Sequence, residues 1–224
     1  MSKLEKRIRS PENLRDDNTY YKIGVMAMMA YSLPRNIDRV DAMAVYPGMG
    51  EIERVTDVVG DWNRSISARH LFVGGVYEAE DTFDRLTEER LKESTYGLRR
   101  TDGVVIQQKA NHTKEQADWI AAEVKARDIA SLALYAPAYH LLRAYATTVK
   151  SMDNADVRIP IIPMPTRVSP DSVSAETGMN TWEMAPAEME RIAKYQEKGD
   201  VATKEELQDY INWSWKQPLF SDTK

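Results

Sequence analysis

The sequence predicts an α/β fold: a three-layer sandwich around a mostly parallel five-stranded sheet, with one helix before it and helices after it. Short apolar runs alternate five times with helical stretches between Asp41 and Pro165. That alternation is the pattern of a parallel sheet with right-handed crossovers. Runs such as Ala42-Met43-Ala44-Val45 and Leu132-Ala133-Leu134-Tyr135 are apolar throughout, as in strands covered on both faces. Each run ends in turn residues, so the loops after the strands gather along one edge, where open α/β sheets bind ligands.

The elements follow in order. Ser10-Pro11 is a helix-start signal, and the helix it opens runs to about Leu33, stopped by Pro34. Met26, Met28 and Met29 on it read as core filler. The first strand is 41–46; Pro47-Gly48-Met49-Gly50 turns the chain, and Glu51 begins a helix to about Ser65. A second strand, 69–73, ends in Gly74-Gly75, and Asp81 caps a helix reaching Ser94. The third strand is 103–107, followed by the loop Lys109–Thr113 and an amphipathic helix to Arg127. The fourth is Leu132–Tyr135, broken at Pro137 and continued as a helix to Lys150; the fifth is 158–163. Residues 166–181 read as a polar loop. Helices follow over 186–196 and 203–215, the second opened by a Thr203/Glu206 capping box. The domain plan is therefore a basic tail (1–9), an α/β body (10–165) and a helical extension (166–224) packed on it.

Composition bounds the function. The 224 residues are 42% hydrophobic and 29% charged, ordinary for a globular protein, and contain no cysteine. Thiolate chemistry and disulfides are excluded, and a reducing, cytoplasmic setting fits. A net charge of -5 does not favour nucleic acid. The longest apolar run, Ile23 to Leu33, is about half a spanning helix, so no membrane span is expected. Trp213, Trp215 and Phe220 would dock the terminal segment or form a homodimer contact.

Candidate site residues lie in the loops after the strands. Gly48 and Gly50 could admit a phosphate to backbone amides, or be a plain turn. Gly74 and Gly75 could sit against a ligand. Glu78 and Glu80 could bind hydroxyls, hold a divalent cation or act as a base, or decorate a helix N-terminus. Thr113 with Gln116 fits a capping box, which by itself explains both. Asn111 and His112 need a further reason, which the resemblance given below supplies by implying that their loop faces the pocket. With Lys109 and Thr113 they are the candidates of that loop. His140 and Arg143 share a helix face, beside Tyr139. Arg143 suits a carboxylate or phosphate and His140 proton transfer; the alternative is a surface ion pair and a core histidine. His70, at a strand start, reads as structural.

The ordered motifs resemble the YdcF/SanA/ElyC-like family of bacterial α/β proteins. They are Gly-x-Gly after the first strand, Gly-Gly and acids after the second, Asn111-His112-Thr113-Lys114-Glu115-Gln116-Ala117 after the third, and Tyr139-His140-Leu141-Leu142-Arg143-Ala144 after the fourth. The likeness covers about Asp41 to Pro165. It implies a Rossmann-like domain with a polar pocket at the strand ends, and no settled reaction. Here Val73 precedes Gly74 where that family usually has serine or threonine.

The combined expectation is an enzyme performing hydrolysis or group transfer on a small phosphorylated or nucleotide-like ligand. Arg143 and Lys109 would hold the anion, His140 assisted by His112 would move the proton, and Glu80 or Glu78 would orient a hydroxyl, water or metal ion. The cofactor is open: a divalent cation or an adenosyl or nucleotide ligand. A non-catalytic nucleotide- or adenosyl-binding module is the first alternative. The second is an interaction protein using the tail after Pro165.

Overall fold

A computed structural model describes residues 17–33, 38–64 and 66–221. The basic tail, the Ser10-Pro11 signal and Pro34 lie outside them.

Five parallel strands form one sheet: β1 (Ala42–Val45), β2 (His70–Val73), β3 (Val104–Ile106), β4 (Leu132–Pro137) and β5 (Ile161–Thr166). Their order is β3-β2-β1-β4-β5. The central strands β1 and β4 are buried along their whole length, because helices cover both faces. The chain winds outward from β1 to β3, then returns to place β4 against β1. The crevice where the winding reverses therefore opens between the C-terminal ends of β1 and β4.

The helices are α1 (Asp17–Tyr31), α2 (Ile52–Arg64), α3 (Glu88–Lys92), α4 (Thr113–Ala126), α5 (Ala138–Asn154), α6 (Thr181–Glu197), α7 (Lys204–Ser214) and α8 (Pro218–Ser221). Among the described residues no helix is long and apolar enough to cross a membrane. On α1 Met26 is core, whereas Met28 is 64% exposed and fills nothing.

Four local expectations need correction. The helix expected from Asp81 begins only at Glu88, capped by the Thr87 side chain. The amides of Asp81 and Thr82 are instead taken by the Glu176 carboxylate from the loop after β5. The capping box on α4 is not Thr113/Gln116. His112 is the cap, its Nδ1 accepting from the Glu115 amide, while Gln116 turns inward. α6 starts five residues before Pro186, at an Asn180/Glu183 capping box. Finally, β5 lies three residues later than read and runs through Pro163 and Pro165. It is an edge strand, and Ile161 turns its N–H outward to the Tyr210 hydroxyl at 2.9 Å. The two prolines share that register, so neither removes a bond to β4.

Trp213 packs against Tyr210, with Arg158 over its ring, as docking of the terminal segment requires. Trp215 is 41% exposed, and the Phe220 side chain lies outside the described residues.

Candidate functional site

A cavity of about 140 Å³ occupies the crevice between the ends of β1 and β4. Its walls come from six places: the turn after β1, α2 through Arg54, the segment after β2, the loop after β3 with the start of α4, the start of α5, and α6 with the loop before it.

The start of α5 brings the chemistry. Pro137 ends β4 and stands at the helix N-cap with no side-chain hydrogen bond, and the first turn carries no acidic residue. Its amides are thus not answered by a cap of the chain's own. Tyr139, His140 and Arg143 project from the first two turns into the cavity wall.

Behind His140 and Arg143 stands Glu188 of α6, 3% exposed. Its Oε2 lies 3.1 Å from His140 Nδ1 and accepts from Arg143 Nε at 2.6 Å. Its Oε1 accepts from Arg143 Nη2 at 3.1 Å and from Arg191 Nη1. This surround of donors and cations holds the Glu188 carboxyl well below its ordinary range despite burial. Burial, and then the Arg143 charge, press His140 down to about 4, outweighing the pull of Glu188. His140 is therefore neutral near pH 7. A carboxylate only accepts, so Nδ1 carries the proton, and Nε2 is left as the lone-pair nitrogen for the cavity. Arg143 Nη1 donates to Thr113 Oγ1 at 2.9 Å, joining α5 to the start of α4.

A second buried carboxylate lies on the α2 side. Arg54, 3% exposed, donates through Nε to Glu51 at 2.6 Å, through Nη2 to the Tyr139 hydroxyl at 2.7 Å, and to the Tyr46 carbonyl at 3.3 Å. The Tyr139 hydroxyl in turn donates to Glu51, 3.0 and 3.1 Å from its oxygens. That hydroxyl's proton is spent inside the protein, although Tyr139 lines the cavity.

Glu80 closes the side near β2. Its Oε2 accepts from the Met49 amide at 2.9 Å. Burial raises its pKa, and the nearby Glu176 and Glu51 charges add to the rise against that hydrogen bond. The Met49 amide, the donor that a phosphate would want from the Gly-x-Gly turn, is thus already taken.

The cavity gathers Gly48, Glu80, Asn111, His112, Thr113, Tyr139, His140 and Arg143. It does not gather the other candidates. Gly50 faces an adjoining cavity. Gly74 and Gly75 serve packing: a Cβ on Gly75 would lie 2.3 Å from the Lys109 carbonyl carbon, and one on Gly74 would lie 3.1 Å from the Val45 carbonyl oxygen. Glu78 and Lys109 are exposed and outside the cavity wall. His112 is committed to the helix cap and sits 3.5 Å from Glu115, so it does not assist His140. Nor are its loop and that of His140 at neighbouring strand ends, since β2 and β1 separate β3 from β4. α4 packs on α5, which brings both loops to one cavity. His70 begins β2 and stacks on Phe72, a structural place.

Sequence reasoning missed Arg54, Gln116, Glu188 and Arg191. Gln116 donates to the Gly75 carbonyl at 2.7 Å and the Pro47 carbonyl at 3.4 Å, tying two loops together. Glu188 and Arg191 belong to the helical extension, and they form part of the cavity wall, so deleting 186–224 would remove that wall. Their only sequence signal is an acid and a base at (i, i+3) on a helix. Among the described residues no group of three or more His, Asp or Glu is arranged to hold a metal ion.

The fold and site define an α/β protein with a polar switch-point cavity, carrying a carboxylate-fixed histidine beside an uncapped helix start. No protein-family model matches the chain, and no curated protein matches it.

Proposed function

We propose that the protein is an enzyme acting on a small phosphorylated ligand by hydrolysis or group transfer. The observation that carries this reading is Glu188, one buried carboxylate that fixes both His140 and Arg143 beside the uncapped start of α5. A phosphate there meets helix N-terminal amides that no side chain caps and the remaining donors of Arg143 and Arg191. His140 Nε2 takes the proton from the attacking water or hydroxyl as its oxygen bonds to phosphorus. It returns that proton to the leaving oxygen as the ester bond breaks. Glu188 stabilises the imidazolium formed between these steps. A phosphate dianion bound beside it raises the basicity of His140 above its value of about 4. Lys109 and His112 have no part in this scheme. The motifs around Asn111 and Tyr139 support membership of the YdcF-like family.

The test is thermal denaturation with inorganic phosphate, pyrophosphate and sugar phosphates, followed by assay of phosphate release. One phosphorylated class raises the melting temperature, and Arg143→Gln removes the rise. His140→Asn keeps a donor for Glu188 and the rise, but loses turnover by about 100-fold or more. Alanine is the poorer choice at 140, since it strips a donor from a buried carboxylate. Undiminished turnover in His140→Asn would end the assignment, as would a melting temperature unmoved by every phosphorylated class. A rise with no turnover would leave a binding protein.

A further inference from the structure

A second cavity, of about 240 Å³, lies on the other side of the turn after β1. Pro47, Gly48 and Glu80 line both cavities, so the partition is one turn and one side chain thick. Gly48 has φ +134°, and a Cβ placed on it would stand 3.3 Å from Glu80 Oε1. A larger residue would thicken that partition and strain the backbone.

The two cavities differ in chemistry. The first is lined by Arg54, Arg143 and Arg191. The second has no lysine or arginine in its lining, and its walls are Val55, Val76, Leu86 and Tyr96, each 9% exposed or less. Its polar lining includes three carboxylates, Glu51, Glu80 and Asp84. Two of these are answered within the protein: Glu51 by Arg54 and Tyr139, and Asp84 by Arg90 and Tyr96. Glu80 is not fully answered. Its Oε2 has the Met49 amide, while Oε1 has no hydrogen-bond partner among the described residues. The Glu80 carboxylate, with no cation paired to it, disfavours an anion, and apolar walls favour a group that sheds water at little cost. An uncharged ring with an N–H or O–H edge fits such a site.

We propose that one ligand lies over the turn that divides the two open cavities, with its phosphate in the first and an uncharged ring in the second, presenting a donor to Glu80. The inference rests on the phosphate reading of the first cavity. It narrows the substrate class to phosphorylated compounds bearing a heteroaromatic or similarly flat ring, and it argues against a second anionic group.

Calorimetric titration with ribose 5-phosphate, adenosine 5′-monophosphate and adenosine tests it. The monophosphate binds at least tenfold more tightly than ribose 5-phosphate. Ile52→Trp erases that difference while the ribose 5-phosphate affinity holds. Ile52 lines only the second cavity and is 45% exposed, so a larger side chain enters without repacking the core. Leu86→Trp fills the same space from another lining position and checks the result. Equal affinity for the two phosphates in the unaltered protein, or a preference surviving both tryptophan variants, overturns the proposal. If ribose 5-phosphate fails to bind while adenosine binds and is lost in Ile52→Trp, the phosphate reading falls and the ring site stands alone. If neither adenosine nor its monophosphate binds, the ring site falls, whatever ribose 5-phosphate does.

Discussion

Two buried glutamates flank the crevice, and they are wired differently. Glu51 is answered by Arg54, three residues on, and by Tyr139. Every group in that cluster is matched by another, and Arg54, though it reaches the cavity wall, is only 3% exposed. Glu188 is answered by His140 and Arg143, 48 and 45 residues earlier in the chain, and by Arg191. There the imidazole keeps a nitrogen, and the arginines keep donors, for whatever enters the cavity. The first cluster is closed on itself, and the second is open to the cavity. The difference teaches that burial of a charge network does not by itself make a candidate site; unspent valence facing a cavity does.

The largest effect expected is on stability. Glu51→Leu leaves Arg54 buried without its carboxylate and costs about 3–5 kcal/mol. Glu188→Leu costs less, because the Arg191 side chain is already 36% exposed and Arg143 13%, but it removes phosphate binding and turnover. Urea midpoints with unchanged slopes measure both, and the reverse order of stabilities would break the contrast.

The adjacent pair Tyr139 and His140 sharpens it. Tyr139→Phe leaves Arg54 and Glu51 each short of a partner and lowers stability by about 1–3 kcal/mol, with turnover changed only a few-fold. His140→Asn does the opposite, losing turnover while the urea midpoint moves little. Equal loss of turnover in both variants would make Tyr139 part of the chemistry.

Acid separates the clusters again. His140 in the folded protein is depressed to about 4, whereas the unfolded chain takes up that proton near pH 6.5. Between these values the unfolded state binds more protons, so stability falls as pH falls. The contribution is whole above about pH 6.5 and is lost on approach to about pH 4. Glu188, held low, adds a further loss once the pH passes below the ordinary carboxylate range. Urea midpoints from about pH 7 down to about pH 4.5 trace the first loss, and His140→Asn flattens it. An unaltered slope in that variant would assign the loss elsewhere.

The smallest effect belongs to the wall that carries Glu188. Asn180→Ala removes the capping bond to the Glu183 amide, 3.1 Å long, and costs about 1 kcal/mol. A detectable fall in phosphate affinity with it would show that the start of α6 helps to place Glu188.

Much of this molecule was legible in the sequence, and the misses have physical causes. The five strands and the helices between them follow from apolar runs and breakers, which act within a few residues. The Thr203/Glu206 capping box formed as read, because its partners are three residues apart. The same signal at Asn180/Glu183 opens α6, and Pro186, which reads as a helix start, lies inside it. Asp81 failed as a cap because a carboxylate from residue 176 took the amides, a competition no local pattern reveals. Gly74-Gly75 looked like ligand glycines, yet what approaches them is the chain's own backbone.

By itself the sequence determined the order of elements and the edge where polar residues collect, since hydrophobic period and turn chemistry are local. Only the tertiary structure decided the rest. The order β3-β2-β1-β4-β5 put the ends of β1 and β4 together. The packing of α6 on α5 then drove Glu188 under His140 and Arg143. Such a contact depends on how two helices meet across some 45 residues of chain. Charged side chains that meet in this way carry no periodic signal, because either could equally have faced water.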